Sequence, residues 1–325
     1  MTSSAIRTDA ALRARRRPYG HPLRDQVLAG LLARHKTLTP SLLYDAAGAR
    51  LFEAICALPE YYVTRTELAI LAAHAPDVAR LAGPRAALIE YGSGAGLKVR
   101  YLLDQLAAPA AYAPVDISRE QLAAVAAERS AQYPALRVLP VCADYSLPFD
   151  LPPLPAHDRR VAFFPGSTIG NFHPAEAAAF LTRVRHVVGR DGALVIGIDR
   201  QKDPGVLHAA YNDSAGVTAA FNLNLLARLN RELSATFDPS TFRHRAFFND
   251  DASRIEMHLE SLVPQEVCVA GASVSFDAGE TIRTECSYKY DRDRLDALVL
   301  PAGFRIQALW TDERDWFWEA FLVPA

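Results

Sequence analysis

Ala87-Leu-Ile-Glu-Tyr-Gly-Ser-Gly-Ala-Gly-Leu-Lys98 is the stretch that decides the fold. An apolar run ends in an acid, Glu90, and glycines then alternate at Gly92, Gly94 and Gly96. A buried strand that enters such a turn needs glycine for two reasons: the chain turns tightly, and its backbone approaches a ligand with no Cβ in the way. The position that a GxGxxG fingerprint reserves for its last glycine holds Leu97, which disfavours a nicotinamide dinucleotide. Lys98 falls in the first turn after the loop, where it is either an exposed helix lysine or the partner of a ligand's carboxylate.

Around this loop, from about residue 66 to 199, helix and strand signals alternate as they do in a doubly wound parallel sheet. The spacing predicts strands over 87–91, 111–115, 137–142, 161–164 and 193–198. It predicts helices over 67–74, stopping before Pro76, and over 97–106, 118–130 and 174–188. Ser118-x-x-Gln121 has capping-box form, and Pro174 sits at a favoured first helical position. After Arg200 the pattern changes. A long helix over 214–235 carries Val217, Phe221, Leu225 and Leu229 on one face, and 242–269 alternates as antiparallel strands do. There Ile255, Met257 and Leu259 make an apolar face, and Arg254, Glu256, His258 and Glu260 a polar one. A helix over 292–300, Gly303 just past its end, and strands over 304–310 and 316–323 close the chain. The expected organisation is α/β: a nucleotide-type domain of residues 66–201 with 288–325, and a smaller α+β accessory substrate-binding domain of 21–65 with 202–287.

Composition narrows the class without naming it. The chain has 325 residues, half of them hydrophobic, and a formal net charge of −2, which fits a soluble protein with a large core and gives no basic footprint for nucleic acid. Residues 1–20 hold Arg7, Arg13, Arg15, Arg16 and Arg17 against Asp9, with no apolar segment behind them, and read as a flexible arm. No run of 18 apolar residues exists, so no membrane span is expected. Cys56, Cys142, Cys268 and Cys286 are scattered, without ligand spacing, so reduced thiols, a cytoplasmic location and no metal are expected.

In open α/β sheets, ligands lie beyond the carboxyl ends of the strands. Those ends offer Gly92 to Gly96, then Asp116, then Asp144 and Tyr145, then Gly166-Ser-Thr-Ile-Gly-Asn171. A carboxylate at Asp116 suits two ribose hydroxyls, or caps the helix that starts near Ser118. Asp144 and Tyr145 suit an adenine amino group and ring, although such a pair is also common in surface turns. The Gly166 to Asn171 loop offers backbone N–H groups and an amide to a small polar ligand, and it lacks the Lys-Ser/Thr ending of a phosphate loop.

With Glu90 before it, the glycine loop resembles that of class I S-adenosylmethionine (SAM) methyltransferases, whose reversed final hairpin matches the last two expected strands. More specific are Leu58-Pro-Glu-Tyr-Tyr-Val-Thr-Arg65, Phe164-Pro-Gly-Ser-Thr-Ile-Gly-Asn171, Tyr211-Asn-Asp213, Ser253-Arg-Ile-Glu-Met257 and Arg283-Thr-Glu-Cys-Ser-Tyr-Lys-Tyr290. Together with the glycine loop and Lys98, these runs resemble the histidine-specific SAM-dependent methyltransferase family. The resemblance spans nearly the whole chain after about residue 40. It implies a class I, Rossmann-like sheet with an accessory substrate lid. It further implies trimethylation of the α-amine of free L-histidine to hercynine, the first step of ergothioneine biosynthesis, with SAM as cosubstrate.

By that resemblance Gly92, Gly94, Lys98, Asp116, Asp144 and Tyr145 contact the cofactor, with Lys98 on its methionine carboxylate. Asn171 and Tyr211 hold the substrate's carboxylate, Glu285 and Ser287 its imidazole, and Tyr44 and Tyr61 line the pocket near amine and ring. Gly166 and Met257 complete the set, and Tyr44 is the candidate nearest the amine. The Ala95-Gly96-Leu97 continuation departs from the small polar residues more usual in the family. The readings that compete are the same chemistry on tryptophan or tyrosine, a non-catalytic SAM-binding protein, and an NAD-dependent oxidoreductase. A monomer is expected.

Overall fold

The structure, a computed structural model, describes residues 22–325; the arginine-rich arm expected over 1–20 lies outside the described residues. The chain opens with α1 (Pro22–Leu31), α2 (Ala46–Cys56) and α3 (Tyr62–Ala82). There follow β1 (Ala86–Tyr91), α4 (Val99–Leu103), β2 (Ala111–Asp116), α5 (Arg119–Gln132), β3 (Arg137–Val138), β4 (Val141–Cys142) and β5 (Arg159–Phe164). A 3-10 turn, Thr168–Asn171, leads to α6 (Pro174–Val188) and β6 (Ala193–Asp199). Then come α7 (Pro204–Tyr211), α8 (Val217–Leu233), β7 (Phe242–Asn249), β8 (Arg254–Ser261), β9 (Gln265–Val269), β10 (Ala272–Phe276) and β11 (Thr281–Tyr288). The chain closes with α9 (Arg292–Val299), β12 (Phe304–Thr311) and β13 (Phe317–Pro324).

The main sheet has the order β12-β13-β6-β5-β1-β2-β3, with β4 also pairing β2. Strands β1 to β6 are mutually parallel where they pair, while β13 runs antiparallel to both β6 and β12. The reversed closing hairpin is therefore present. β1, β2 and β6 are buried along their whole length, which is why they read as continuous apolar runs and not as alternation. Alternate residues serve two cores. Leu88, Tyr112 and Phe163 pack with α3 and α4, and Ile89, Val115 and Phe164 pack with α6. A third core gathers α8, β7, β8 and the N-terminal segment around Phe221, Leu225, Ile255 and Leu259.

β11, β8 and β7 form a separate antiparallel sheet, and β9 with β10 a two-stranded one. A close approach of the 3-10 turn holds β11 over the open end of the main sheet. A Cβ at Gly170 would lie 2.8 Å from the Tyr288 carbonyl oxygen, so the 3-10 turn can touch β11 only with glycine there. Arg200 also bridges to Tyr290, and Thr37 to Arg283.

Several expected boundaries move. Pro76 lies inside α3, which continues to Ala82. Pro76 and Ala72 are both exposed, so the carbonyl that loses its helical partner faces water and the helix is not broken. The helix expected over 97–106 shrinks to five residues. Strand 137–142 splits at Leu139 and Pro140, since proline cannot donate to the ladder. Gly303, with φ 79°, does not end α9 but turns the chain into β12. Ser118 caps α5 through Gln121 N–H, but its own N–H goes to Asp116, so the capping box is only half made. Among the described residues, no helix is long and apolar enough to cross a membrane.

Candidate active site

The glycine loop follows β1 in positive-φ geometry at Gly92, Gly94 and Gly96. A Cβ on Gly94 would meet nothing within 4 Å, so the loop borders open space there, whereas Gly96 abuts Val125 and is glycine for packing. Asp116, at the end of β2, accepts from Gly94 N–H at 3.1 Å and from Ser118 N–H at 2.9 Å. It thus ties the glycine loop to the start of α5. Each oxygen keeps a free lone pair for a diol, so the helix-turn and ribose roles coexist. Asp144 is exposed, and Ser146 occupies one of its oxygens through N–H and hydroxyl. Tyr145 packs edge-on against Tyr91 and Phe164, with its hydroxyl in the space that a side chain at Gly92 would take.

Lys98 is not a solvated helix lysine. Its ammonium pairs with Glu67 Oε2 at 2.5 Å, and Glu67 Oε1 accepts from Gly166 N–H at 2.6 Å. Glu67 is fully buried and joins the two loops expected to face the cofactor and the substrate. Gly197 leaves it room, since a Cβ there would lie 2.4 Å from Glu67 Oε1. Glu319, opposite Gly197 on β13, has both oxygens without a hydrogen-bond partner, and burial beside Glu67 pushes its carboxyl far up. Glu90 accepts from Tyr112 Oη, and its burial pushes it up to about 8.

The substrate-side residues gather around β11. A bulge between Arg283 and Glu285 resets the strand's alternation, and beyond it Glu285, Ser287 and Lys289 recur at every second residue. Ser287 Oγ accepts from Tyr211 Oη at 2.9 Å and from Lys289 Nζ at 2.8 Å. Met257 is the β8 partner of Glu285 and is buried in the third core, so it is both core and neighbour of the site. Burial pushes Glu285 up to about 7, against the pull of Lys289. Tyr44 and Tyr61 are pushed well up, first by burial, then by Glu285, Tyr211 and each other's neighbourhood. Tyr145 acts on Tyr44 as well, so residues expected on the cofactor side and the substrate side lie within electrostatic reach of one phenol. Tyr61 meets Tyr211 edge-on at 6.3 Å, and Tyr44 meets Phe52 and Phe221. Asn171, at the end of the 3-10 turn, shares with Glu285 a cavity that opens past Thr39, His173 and Arg283.

Behind β11 lies a buried charge cluster that the sequence reading did not include. Asp199 receives Tyr62 Oη at 2.7 and 2.9 Å, Lys289 Nζ at 2.7 Å, and Lys202. Burial raises the Asp199 carboxyl, but the two ammonium groups outweigh it and hold it below the usual range. Lys289 was legible in principle, because it continues the i, i+2, i+4 row of Glu285 and Ser287. Glu67, Asp199 and Lys202 had no such signal, since each is an acid or lysine in an otherwise ordinary helix or strand end.

These groups fit a SAM-type ligand: open space over a positive-φ glycine loop, a carboxylate beside it, an aromatic wall, and a lysine reaching from the first helical turn. The model of the family described as histidine-specific, SAM-dependent methyltransferases matches residues 23–324. The chain belongs to that family. It is 42% identical over 295 residues to a histidine N-alpha-methyltransferase of Mycolicibacterium smegmatis, covering 89% of this chain and 91% of the relative. It is 31% identical to ergothioneine biosynthesis protein 1 of Neurospora crassa, over 85% of this chain and 32% of that longer protein. A 4-dimethylallyltryptophan N-methyltransferase of Claviceps purpurea is 27% identical, over 90% of this chain and 92% of its own length. Family membership makes the protein a SAM-dependent methyltransferase.

Proposed function

We propose that this protein trimethylates the α-amine of free L-histidine with SAM, giving hercynine, the first step of ergothioneine biosynthesis. The observation that carries the reading is the Glu285–Ser287 pair on one face of β11, beside Tyr44 and Tyr211. Glu285 accepts an imidazole N–H and Ser287 serves the other ring nitrogen. A site built to hydrogen-bond a polar ring rejects analogues that leave its buried groups unpaired.

Gly92, Gly94, Asp116, Asp144 and Tyr145 hold the nucleoside end of SAM, and Lys98 its methionine carboxylate. Lys98 stays beside Gly166 because Glu67 binds both. SAM supplies a methyl group already activated by its sulfonium. The chain's part is placement, which alone removes much of the barrier to a bimolecular step. Asn171 and Tyr211 hold the carboxylate, Gly166 and Met257 line the pocket, and Tyr44 and Tyr61 receive the growing ammonium on phenol oxygens and ring faces. Each transfer requires a neutral amine. Burial keeps the Tyr44 and Tyr61 phenols protonated, so these groups orient the amine and do not act as standing phenolates.

The same reading divides the chain into a cofactor domain, 66–201 with 288–325, and a substrate domain, 21–65 with 202–287. The separate sheet of β7, β8 and β11 supports that division. It makes the protein a cytoplasmic monomer whose partner is a small molecule. The tryptophan-derivative methyltransferase among its relatives marks the nearest rival substrate class, and Glu285 with Ser287 argues against it, since an indole cannot use both.

The test is mass spectrometry of the protein with SAM and an equimolar mixture of the twenty free amino acids. Histidine heavier by three methyl groups is expected; another trimethylated amino acid would overturn the roles of Glu285 and Ser287. In a companion experiment, Asn171→Ala and Glu285→Ala are expected to lower histidine turnover by about 100-fold or more while SAM affinity holds.

A further inference from the structure

We infer that Lys289 is a positioning residue that presents Ser287 and Tyr211 to the substrate as hydrogen-bond donors, so that the pocket selects a ring with an acceptor nitrogen. This rests on the proposed histidine chemistry. Lys289 is 1% exposed, and its ammonium reaches Asp199 Oδ2 at 2.7 Å, Ser287 Oγ at 2.8 Å and Tyr211 Oη at 3.2 Å. Those contacts employ its three protons. Burial disfavours the charged lysine, but the Asp199 carboxylate outweighs this and keeps it charged.

An ammonium donates and never accepts, so each hydroxyl it touches receives a proton from it. Tyr211 Oη takes one from Lys289 and gives its own to Ser287 Oγ. Ser287 Oγ receives from both, which fills its two lone pairs and leaves its own proton to point away from them. When Tyr211 turns its one proton to a bound carboxylate, Lys289 still holds one lone pair of each hydroxyl, and the Ser287 proton remains free to donate. In that state both hydroxyls serve the substrate as donors. Glu285 takes the ring N–H, so opposite Ser287 the ring nitrogen with a free lone pair is satisfied, while a C–H leaves the hydroxyl unpaired.

Asp199 anchors the lysine from the end of β6, held in turn by Tyr62 and Lys202. The device is thus fixed to the main sheet, on a side chain that need not touch substrate.

The probes are histidine and the two pyrrolylalanine isomers, each of which keeps one ring N–H and replaces the other nitrogen by C–H. The parent is expected to prefer histidine over the better isomer by on the order of 100-fold or more in kcat/KM. Lys289→Met is expected to cut that ratio about tenfold or more. The loss falls on KM and is larger for histidine than for pyrrolylalanine, with SAM affinity kept. Ser287→Ala should collapse the ratio equally, and adding Lys289→Met to it should change nothing further. Lys289→Gln, which still donates to Ser287, should restore most of the preference. Lys289→Met leaves Asp199 short of a partner, so Asp199→Asn with Lys289→Met removes the pair together and gives the same reading if the single variant does not fold. An unchanged ratio, or equal losses on both substrates, overturns the inference alone. A parent that does not methylate histidine overturns the reading beneath it as well.

Discussion

Glu67 and Gly197 illustrate how much of this site rests on single residues with no chemistry of their own to advertise. Glu67 binds Lys98 and the Gly166 N–H at once, and it reaches them across a strand residue without a side chain. In Gly197→Ala the new Cβ would lie 2.4 Å from Glu67 Oε1 and 2.9 Å from Phe317 Cζ. Overpacking of this kind costs about 1–3 kcal/mol. The expected result is a lower urea midpoint together with weaker SAM binding, read by calorimetry, because the displaced carboxylate releases Lys98. A fall in stability with SAM affinity kept would mean that Glu67 does not position the lysine. The glycine loop and Asp116 were legible from their spacing at successive strand ends. Glu285 and Ser287 were named only through the family resemblance, since a glutamate and a serine in a strand are ordinary by type. Glu67 was not, since a glutamate in the first turns of a helix is ordinary until its burial is known.

At the scale of elements, motif residues divide into those that face the site and those that hold an element in place. In the Tyr211-Asn-Asp213 run, Tyr211 bonds Ser287, whereas Asp213 accepts from Val217 and Thr218 N–H at 2.8 Å and secures the start of α8. Asp213→Ala should therefore cost about 1 kcal/mol of stability, the usual worth of a helix cap, while KM for histidine changes little. Burial works against the Asp213 charge, but the Thr218 and Val217 hydrogen bonds outweigh it and lower its pKa. Its contribution is therefore present above the ordinary aspartate value and lost as pH falls through the lowered one. Element type was readable for long periodic segments such as α6 and α8, where the apolar spacing is regular and, in α6, a proline start agrees with it. It failed where exposure decided: Pro76 is tolerated in α3 only because its face is wet.

For the whole molecule, the buried acids set the pH behaviour. Glu90 and Glu285 are raised by burial to about 8 and about 7, so each binds more protons folded than unfolded above the ordinary glutamate value. The stability they provide is complete below that value and is lost as pH rises through 7 and 8. Glu256 runs the other way: despite burial, Arg254 and His258 lower it to about 2, and its contribution is lost on acidification from about 4.5 to 2. The urea midpoint is expected to peak near about pH 5 and to fall toward pH 9. Glu90→Gln should flatten the alkaline side; an unchanged slope would assign the loss elsewhere.

The sequence by itself determined the class of fold and the family, and through the family resemblance it nominated the glycine loop and the substrate-side residues. Those properties reside in local pattern: an apolar strand before alternating glycines, and short runs whose side chains share a face at period two. Only the tertiary structure decided that Lys98 and Gly166 share Glu67, that Asp199 holds Lys289 behind Ser287, and that a bulge turns Glu285 toward Tyr44 and Tyr211. These are contacts between elements far apart in the chain. Their energetics depend on burial, which removes water as the competing partner of each charge and hydroxyl, and burial is a property of packing that no local pattern carries.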